Sequence, residues 1–349
     1  MRPIFDLTVI DFVRSSDRQG SKRALMLGKQ AEVEIIHDDR DSGLAGGAQI
    51  SGKIFASSTR IYSTISDCWT LTKPEVNFLI VVTTFTGFYL GHAHQSGHLP
   101  FSLLACTLVG TLLVASGTGT LNQYIERHFD AQMRRTARRP LATGRMRASV
   151  GLALGIALAM LGIVFLAVSV NLLTSALALF TLTSYLLVYT PLKRKTPICT
   201  LIGAIPGAMP PLIGWAAASG HLSSEAWFLY GILFLWQFPH FMAIAWMYRD
   251  DYQRAGYRIL PMTDSQCAYV NWMTLLPLLV LIPLTLFPAF FGHADAIYAL
   301  GTLFAGSIFL YYGSVLARKK SNRHARRLLL ASIAYLPIVF ALLIITYSK

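Results

Sequence analysis

Three oxygen-bearing side chains, Asn122, Glu126 and Asp130, recur at intervals of four residues. On an α-helix this spacing stacks them along one face, drifting by about 40° per step. Carboxylates one turn apart repel each other, so the arrangement wants a cation. Mg²⁺ suits it, since that metal takes oxygen ligands and is often held by one or two carboxylates together with substrate phosphates. Arg135, Arg138 and Arg139 follow directly, with guanidinium groups fit to meet phosphate oxygens. An ordinary charged loop, with Glu126–Arg127 and Asp130–Arg134 surface contacts, accounts for the same spacing.

A second acidic pair, Asp250 and Asp251, stands among Arg249, Arg254 and Arg258. Adjacent helical residues point about 100° apart, so both carboxylates face one ion only if the helix ends there. A charged helix end explains one such pair; its recurrence on the same membrane side points to a shared two-metal or metal–diphosphate site. Between the two clusters lies Tyr189-Thr190-Pro191-Leu192-Lys193-Arg194-Lys195. This cationic turn either anchors the chain at a membrane surface or clamps a diphosphate. Pro206, Pro210 and Pro211, with Gly203, Gly207 and Gly214, mark a kinked helix that neighbours can approach closely. His240, with Trp236, Gln237 and Pro239 beside it, interrupts an apolar run. In lipid such a histidine is a packing residue, a haem-iron ligand or a proton handler. His92, His94 and His98 read as a solvated loop, and Cys68, Cys106, Cys199 and Cys267 form no CxxC pair.

The elements that must carry these residues follow from composition. The chain has 349 residues, 54% hydrophobic and 13% charged, with a mean hydropathy of +0.50. Soluble domains average about 25% charged residues. No Asp, Glu, Lys or Arg occurs over 76–125 or 148–192, and shorter charge-free runs follow to the C-terminus. A bilayer core takes roughly 20 apolar residues per helix. The two long runs therefore hold two spans each and five further runs hold one. The predicted spans are 77–94, 101–121, 150–169, 172–189, 200–218, 226–247, 268–289, 297–316 and 328–346. Unbroken apolar runs exclude a barrel, whose strands alternate with polar residues. The fold class is thus all-α, a polytopic membrane bundle of about nine helices.

Basic residues sort by side. Segments 1–73, 122–147, 190–199, 248–266 and 317–327 hold 29 of the 30 Lys and Arg, and Lys349 is the last. With a cytoplasmic N-terminus all five segments face inward, as the positive-inside rule describes. The net charge of +13 is therefore topology, and nucleic acid is excluded as a partner because no basic stretch carries aromatic stacking platforms. Residues 1–65 are expected to form a polar, mostly disordered cytoplasmic tail, and 66–349 the nine-span domain. Residues 1–60 hold 9 basic and 8 acidic residues, which fits neither a transit peptide nor a signal peptide.

On Leu71-Thr72-Lys73-Pro74, Asn122–Pro140, Tyr189–Thr196, Gly203–Gly214, Trp236–Phe241 and Tyr248–Pro261, the sequence resembles the UbiA superfamily of intramembrane prenyltransferases. The likeness is narrowest to its haem-farnesylating branch and spans roughly 70–262. It implies a bundle around a central cavity open to the bilayer, in a bacterial cytoplasmic (inner) membrane. It implies farnesyl transfer from farnesyl diphosphate to a vinyl group of haem b, giving haem O and diphosphate, with Mg²⁺ as cofactor. Asn122, Glu126 and Asp130 would match the first acidic motif, Asp250 and Asp251 the second, all five serving as metal ligands and catalytic residues. Arg135, Arg139, Lys193 and Arg194 would bind diphosphate, and His240 is the haem-binding candidate. A haem A synthase or terminal-oxidase assembly would be the downstream partner. Two positions depart from the pattern: the second motif often begins with an Asp near the place of His240-Phe241, and Glu75 stands where a basic residue is usual. A superfamily enzyme prenylating an aromatic or quinone precursor is the alternative, and a transporter is a further class. Against a transporter, the acidic clusters lie at one membrane face and not at the midplane.

Overall fold

In a computed structural model, residues 65–93, 98–261, 265–290 and 294–346 are described. The expected tail over 1–65 lies, but for residue 65, outside them, as does His94. Eleven helices make up the bulk of the described chain. They are α1 (Pro74–Ala93), α2 (Phe101–Asp130), α3 (Ala148–Ser169), α4 (Leu172–Leu192), α5 (Cys199–Gly207), α6 (Pro210–Ser219), α7 (Ser224–Met247), α8 (Arg249–Arg254), α9 (Gln266–Phe290), α10 (Ala296–Lys319) and α11 (Asn322–Thr346). Among the described residues, nine helices are long and apolar enough to cross a membrane, α5 and α6 together forming one of them. A helix pairs most of its backbone groups internally, which is what a lipid environment requires. Large apolar side chains such as Val168, Leu187, Leu279 and Phe304 face outward and exposed, the inverse of a water-soluble surface.

Three elements differ from the spans predicted above, each for a local reason. Helix α2 does not stop near residue 121 but continues to Asp130. Its added turns keep Asn122, Glu126 and Asp130 on the buried face, where other elements partner them. Helix α11 begins at Asn322, its first turns carrying exposed Arg323, Arg326 and Arg327 before the apolar run. The fifth crossing breaks at Ala208-Met209, and Pro210 and Pro211 start the new helix. Proline lacks the N–H that would continue the ladder, but at a first turn that donor has no intrahelical partner anyway.

The chief contacts are α2 with α3, α1 with α6, and a group of α7, α9, α10 and α11. Helix α1 touches α2, α6 and α11. The α1–α6 approach is backbone to backbone. A Cβ on Gly87 would lie 2.1 Å from the Pro211 carbonyl oxygen, and one on Gly214 2.0 Å from that of Thr84. Such contact maximises dispersion between helices that no hydrophobic effect drives together in lipid.

Candidate active site

The end of α2 supplies the first acidic side chains. Asn122 donates to Glu126 Oε2 at 2.5 Å and accepts a hydrogen bond from Tyr185 at 3.0 Å. Lys193 Nζ lies 2.9 Å from Glu126 Oε1, both side chains buried, and sits 4.6 Å from the centroid of the Tyr189 ring. Helix α4 brings these partners in through a wide, π-helical turn over Ser184–Tyr189. Pro191 has no N–H to return to the carbonyl four residues earlier, which loosens the α-helical ladder here. The wider turn sets the Tyr185 and Tyr189 rings 5.1 Å apart, and both lie near the Lys193 ammonium. Turns of this kind recur at functional sites. Burial opposes the Lys193 charge, but Glu126, Tyr185 and Tyr189 outweigh it and hold its pKa well above the ordinary lysine value.

One turn on, Asp130 Oδ2 meets Arg139 at 2.7 Å, while its Oδ1 is buried without a hydrogen-bond partner. Thr136 caps the turn by donating to the Asp130 carbonyl at 2.9 Å. Lys73 completes the cluster. It has φ +52° at the junction between a helical stretch over 65–72 and Pro74 of α1. Gln123 donates to the Leu71 carbonyl at 2.9 Å and Asn77 to that of Thr72 at 2.7 Å, fastening this junction to α2 and α1. Burial first, then Arg139 and Lys193, lower the Lys73 pKa to about 7, with Glu126 and Asp130 opposing.

The second acidic segment arrives on α8. Asp251 is buried and pairs with Arg254, and its Oδ2 accepts from the Arg135 backbone N–H at 3.4 Å. Arg135 also donates to the Tyr252 hydroxyl at 3.4 Å and lies over the Tyr248 ring. Two segments over a hundred residues apart in sequence thus meet. The Arg258 backbone N–H donates to the Lys193 carbonyl at 2.7 Å, tying in the cationic turn. Tyr257 packs on Phe129, and burial, then the Glu126 carboxylate, raise its pKa.

The structure therefore brings together Asn122, Glu126, Asp130, Arg139 and Lys193, and links Arg135 to Asp251. It does not bring Asp250 to them: that side chain is 80% exposed beside Arg249. Arg194 is exposed, its guanidinium 4.2 Å from the Phe129 ring centroid. His240 lies within α7, half-buried, stacked on Trp236 and 2.8 Å from Ser332 of α11. Lys73, Tyr185, Tyr189 and Tyr257 were not among the expected site residues. Lys73, Tyr189 and Tyr257 stand inside motifs quoted above, but nothing in their spacing says that they face Glu126.

Among the described residues no three His, Cys, Asp or Glu side chains form a ready metal cage. Mg²⁺ does not require one, since phosphates supply the balance of its ligands. The buried, unpartnered Asp130 Oδ1 is the acceptor that a cation or its water would satisfy. The residues fit Mg²⁺ bound together with an anionic substrate. Lysine and arginine now neutralise both carboxylates, and the same cations can turn to that substrate's oxygens.

Residues 80–340 match the family model described as the UbiA prenyltransferase family. A Solibacter usitatus protein named protoheme IX farnesyltransferase is 46% identical over 281 residues, covering 79% of this chain and 96% of its own. A Koribacter versatilis protein of the same name is 43% identical over 292 residues, covering 82% and 94%. Among solved structures, digeranylgeranylglyceryl phosphate synthase aligns with a TM-score of 0.65 at 14% identity, over 81% of this chain and 98% of its own. A UbiA homologue from Archaeoglobus fulgidus bound to GPP and Mg²⁺ aligns with a TM-score of 0.51 at 13% identity, over 79% and 99%. At those identities the two structures speak for the fold alone.

Proposed function

The chain belongs to the UbiA prenyltransferase family, and on that premise we propose that it transfers the farnesyl group of farnesyl diphosphate to a vinyl group of haem b. The products are haem O and diphosphate. The observation that carries this reading is the 46% identity to a protoheme IX farnesyltransferase across 96% of that protein's length. The cationic and acidic cluster supports it. Mg²⁺, when bound by Glu126, Asp130 and Asp251, supplies Lewis-acid neutralisation of the leaving diphosphate. Asn122 orients the Glu126 carboxylate that would take part. Lys193 and Arg139, released from their carboxylates, donate charge-assisted hydrogen bonds to diphosphate oxygens as the C–O bond breaks. Lys73, near Glu126 and Asp130, and Arg135, beside Asp251, would add positive charge around the same carboxylates. The vinyl group then attacks the allylic carbocation, and water adds to the resulting cation with loss of one proton. No protein base is needed for the ionisation.

The enzyme would act in a bacterial cytoplasmic membrane, with the cluster on the cytoplasmic side. A haem A synthase or terminal-oxidase assembly would receive the product. The test incubates membranes holding the full chain with haem b, labelled farnesyl diphosphate and Mg²⁺. Labelled haem O and released diphosphate are expected, and both vanish on chelation of the metal. Label on an aromatic or quinone precursor but not on haem would overturn the acceptor while keeping the reaction class.

A further inference from the structure

His240 lies seven residues before the C-terminal end of α7, about 10 Å along the helix axis from that end, beyond which α8 carries the acidic segment. Its ring stacks on Trp236, with centroids 4.6 Å apart and planes 26° from parallel. Trp236 in turn donates its indole N–H to the Ser332 carbonyl at 2.7 Å. The imidazole is thereby held between a flat aromatic face and a fixed point on α11.

The Ser332 hydroxyl decides which imidazole nitrogen carries the proton. A serine hydroxyl has one proton to donate and two lone pairs to accept with. Ser332 donates that proton to the Leu329 carbonyl at 2.7 Å. Its contact of 2.8 Å with His240 Nδ1 must then run the other way, with Nδ1–H as donor and Ser332 Oγ as acceptor. In the neutral imidazole that leaves Nε2 without a proton, its lone pair directed away from Ser332. The described residues offer Nε2 no hydrogen-bond partner, and the half-buried residue stays reachable. A ring whose one N–H is committed to an oxygen, and whose other nitrogen presents a lone pair, is the usual state of a metal-ligating histidine.

We infer that His240 Nε2 is an axial ligand to the iron of the haem substrate, and that Ser332 is the positioning residue that fixes its tautomer and ring. The inference rests on the proposed haem acceptor. Anchoring the iron at this depth would leave the porphyrin edge to reach toward the cluster end of the bundle, where the farnesyl carbon is activated. Trp236 would hold the ring plane, so haem would be oriented and not merely retained.

The experiment titrates the purified full chain in detergent with haem b and, in parallel, with metal-free protoporphyrin IX. His240→Ala is expected to lower haem affinity at least about tenfold, the scale seen when a metal site loses ligand support. It should abolish the imidazole-ligated absorption spectrum, which added free imidazole should restore. Binding of metal-free protoporphyrin should not change, since that ligand has no iron to hold. Ser332→Ala should weaken haem in the same selective way by about tenfold, and Ser332→Thr, which keeps the hydroxyl, should not. An unchanged haem spectrum in His240→Ala overturns the inference. So does an equal loss of both porphyrins, which would mean a collapsed pocket. If the wild-type chain makes haem O while His240→Ala keeps its spectrum, only the ligand assignment falls. If wild type neither binds haem nor farnesylates it, the proposed acceptor falls too.

Discussion

At the residue scale the cluster is a set of exchangeable ion pairs. Glu126 is held by Lys193 and Asp130 by Arg139, with one Asp130 oxygen left over. Asp130→Asn keeps shape but loses the charge that a metal and Arg139 share. A lost transition-state contact of about 3 kcal/mol would lower turnover by about a hundredfold. Asp251→Asn should act alike, and the double variant should fall short of the product of the two effects, because groups acting as a unit are not additive. Asp250→Asn, at an exposed carboxylate, should stay within a few-fold; equal damage at Asp250 and Asp251 would show that α8 rearranges on binding. Lys73 adds a pH signature. Its pKa of about 7 in the substrate-free cluster should rise when a diphosphate enters, so between the two values binding takes up a proton. Below pH 7 the lysine is already charged and affinity is flat; above it, affinity falls by up to about tenfold per pH unit. Calorimetry of pyrophosphate binding in buffers of different ionisation enthalpy should show, near pH 7, about half a proton more uptake in the wild-type chain than in Lys73→Met, the ligand's own proton exchange being common to both. The i, i+4 stacking of Asn122, Glu126 and Asp130 is legible in the sequence because helix geometry alone produces it. The Lys73 contribution is not, because it depends on a left-handed residue held against α2 by Gln123, 52 positions away from Leu71.

At the scale of the element, two helices position the chemistry by deviating from regularity. The wide turn in α4 presents Tyr185, Tyr189 and Lys193 to α2, and Pro191 is the only hint of it in the sequence. A kink between α5 and α6 was legible from the consecutive prolines, though not the full break at Ala208-Met209. What it is for was not. It lets α6 lie against the backbone of α1, and Lys73 immediately precedes α1. Gly214→Ala would place a methyl group 2.0 Å from the Thr84 carbonyl oxygen, which is backbone and cannot swing aside. Forcing the helices apart should cost about 1–3 kcal/mol, the usual range for overpacking. Thermal unfolding in detergent should show the loss, together with slower turnover as the Lys73 junction shifts. Gly231→Ala is the control, because its added carbon meets only Leu284 Cδ2 at 3.4 Å, an ordinary contact. Equal Tm values for the two variants would mean that α1 and α6 are not in rigid contact.

For the whole molecule, the placement of every site residue is a statement about membrane sides. Lys73 precedes α1, Glu126 and Asp130 end α2, Lys193 follows α4, and Asp251 follows α7. With nine crossings these positions all fall on the same side, provided that each long helix spans the bilayer once. Among the described residues, all 20 Lys and Arg fall on that same side by sequence position. An excess of that kind keeps loops from translocating, so this face should be cytoplasmic. The span count was legible because charge-free runs of bilayer length leave few alternatives; the true end of α2 was not, because polar residues buried by protein look like a loop in sequence. Reporter fusions after residues 97 and 220 should therefore map outside, and fusions after 145, 195 and 260 inside. The 145 fusion carries the most weight, since it sits between the ion-paired end of α2 and the start of α3. If it reports from the outer side, the diphosphate site would face away from the cytoplasm, and the chemistry assigned to Glu126, Asp130 and Lys193 would fall with it.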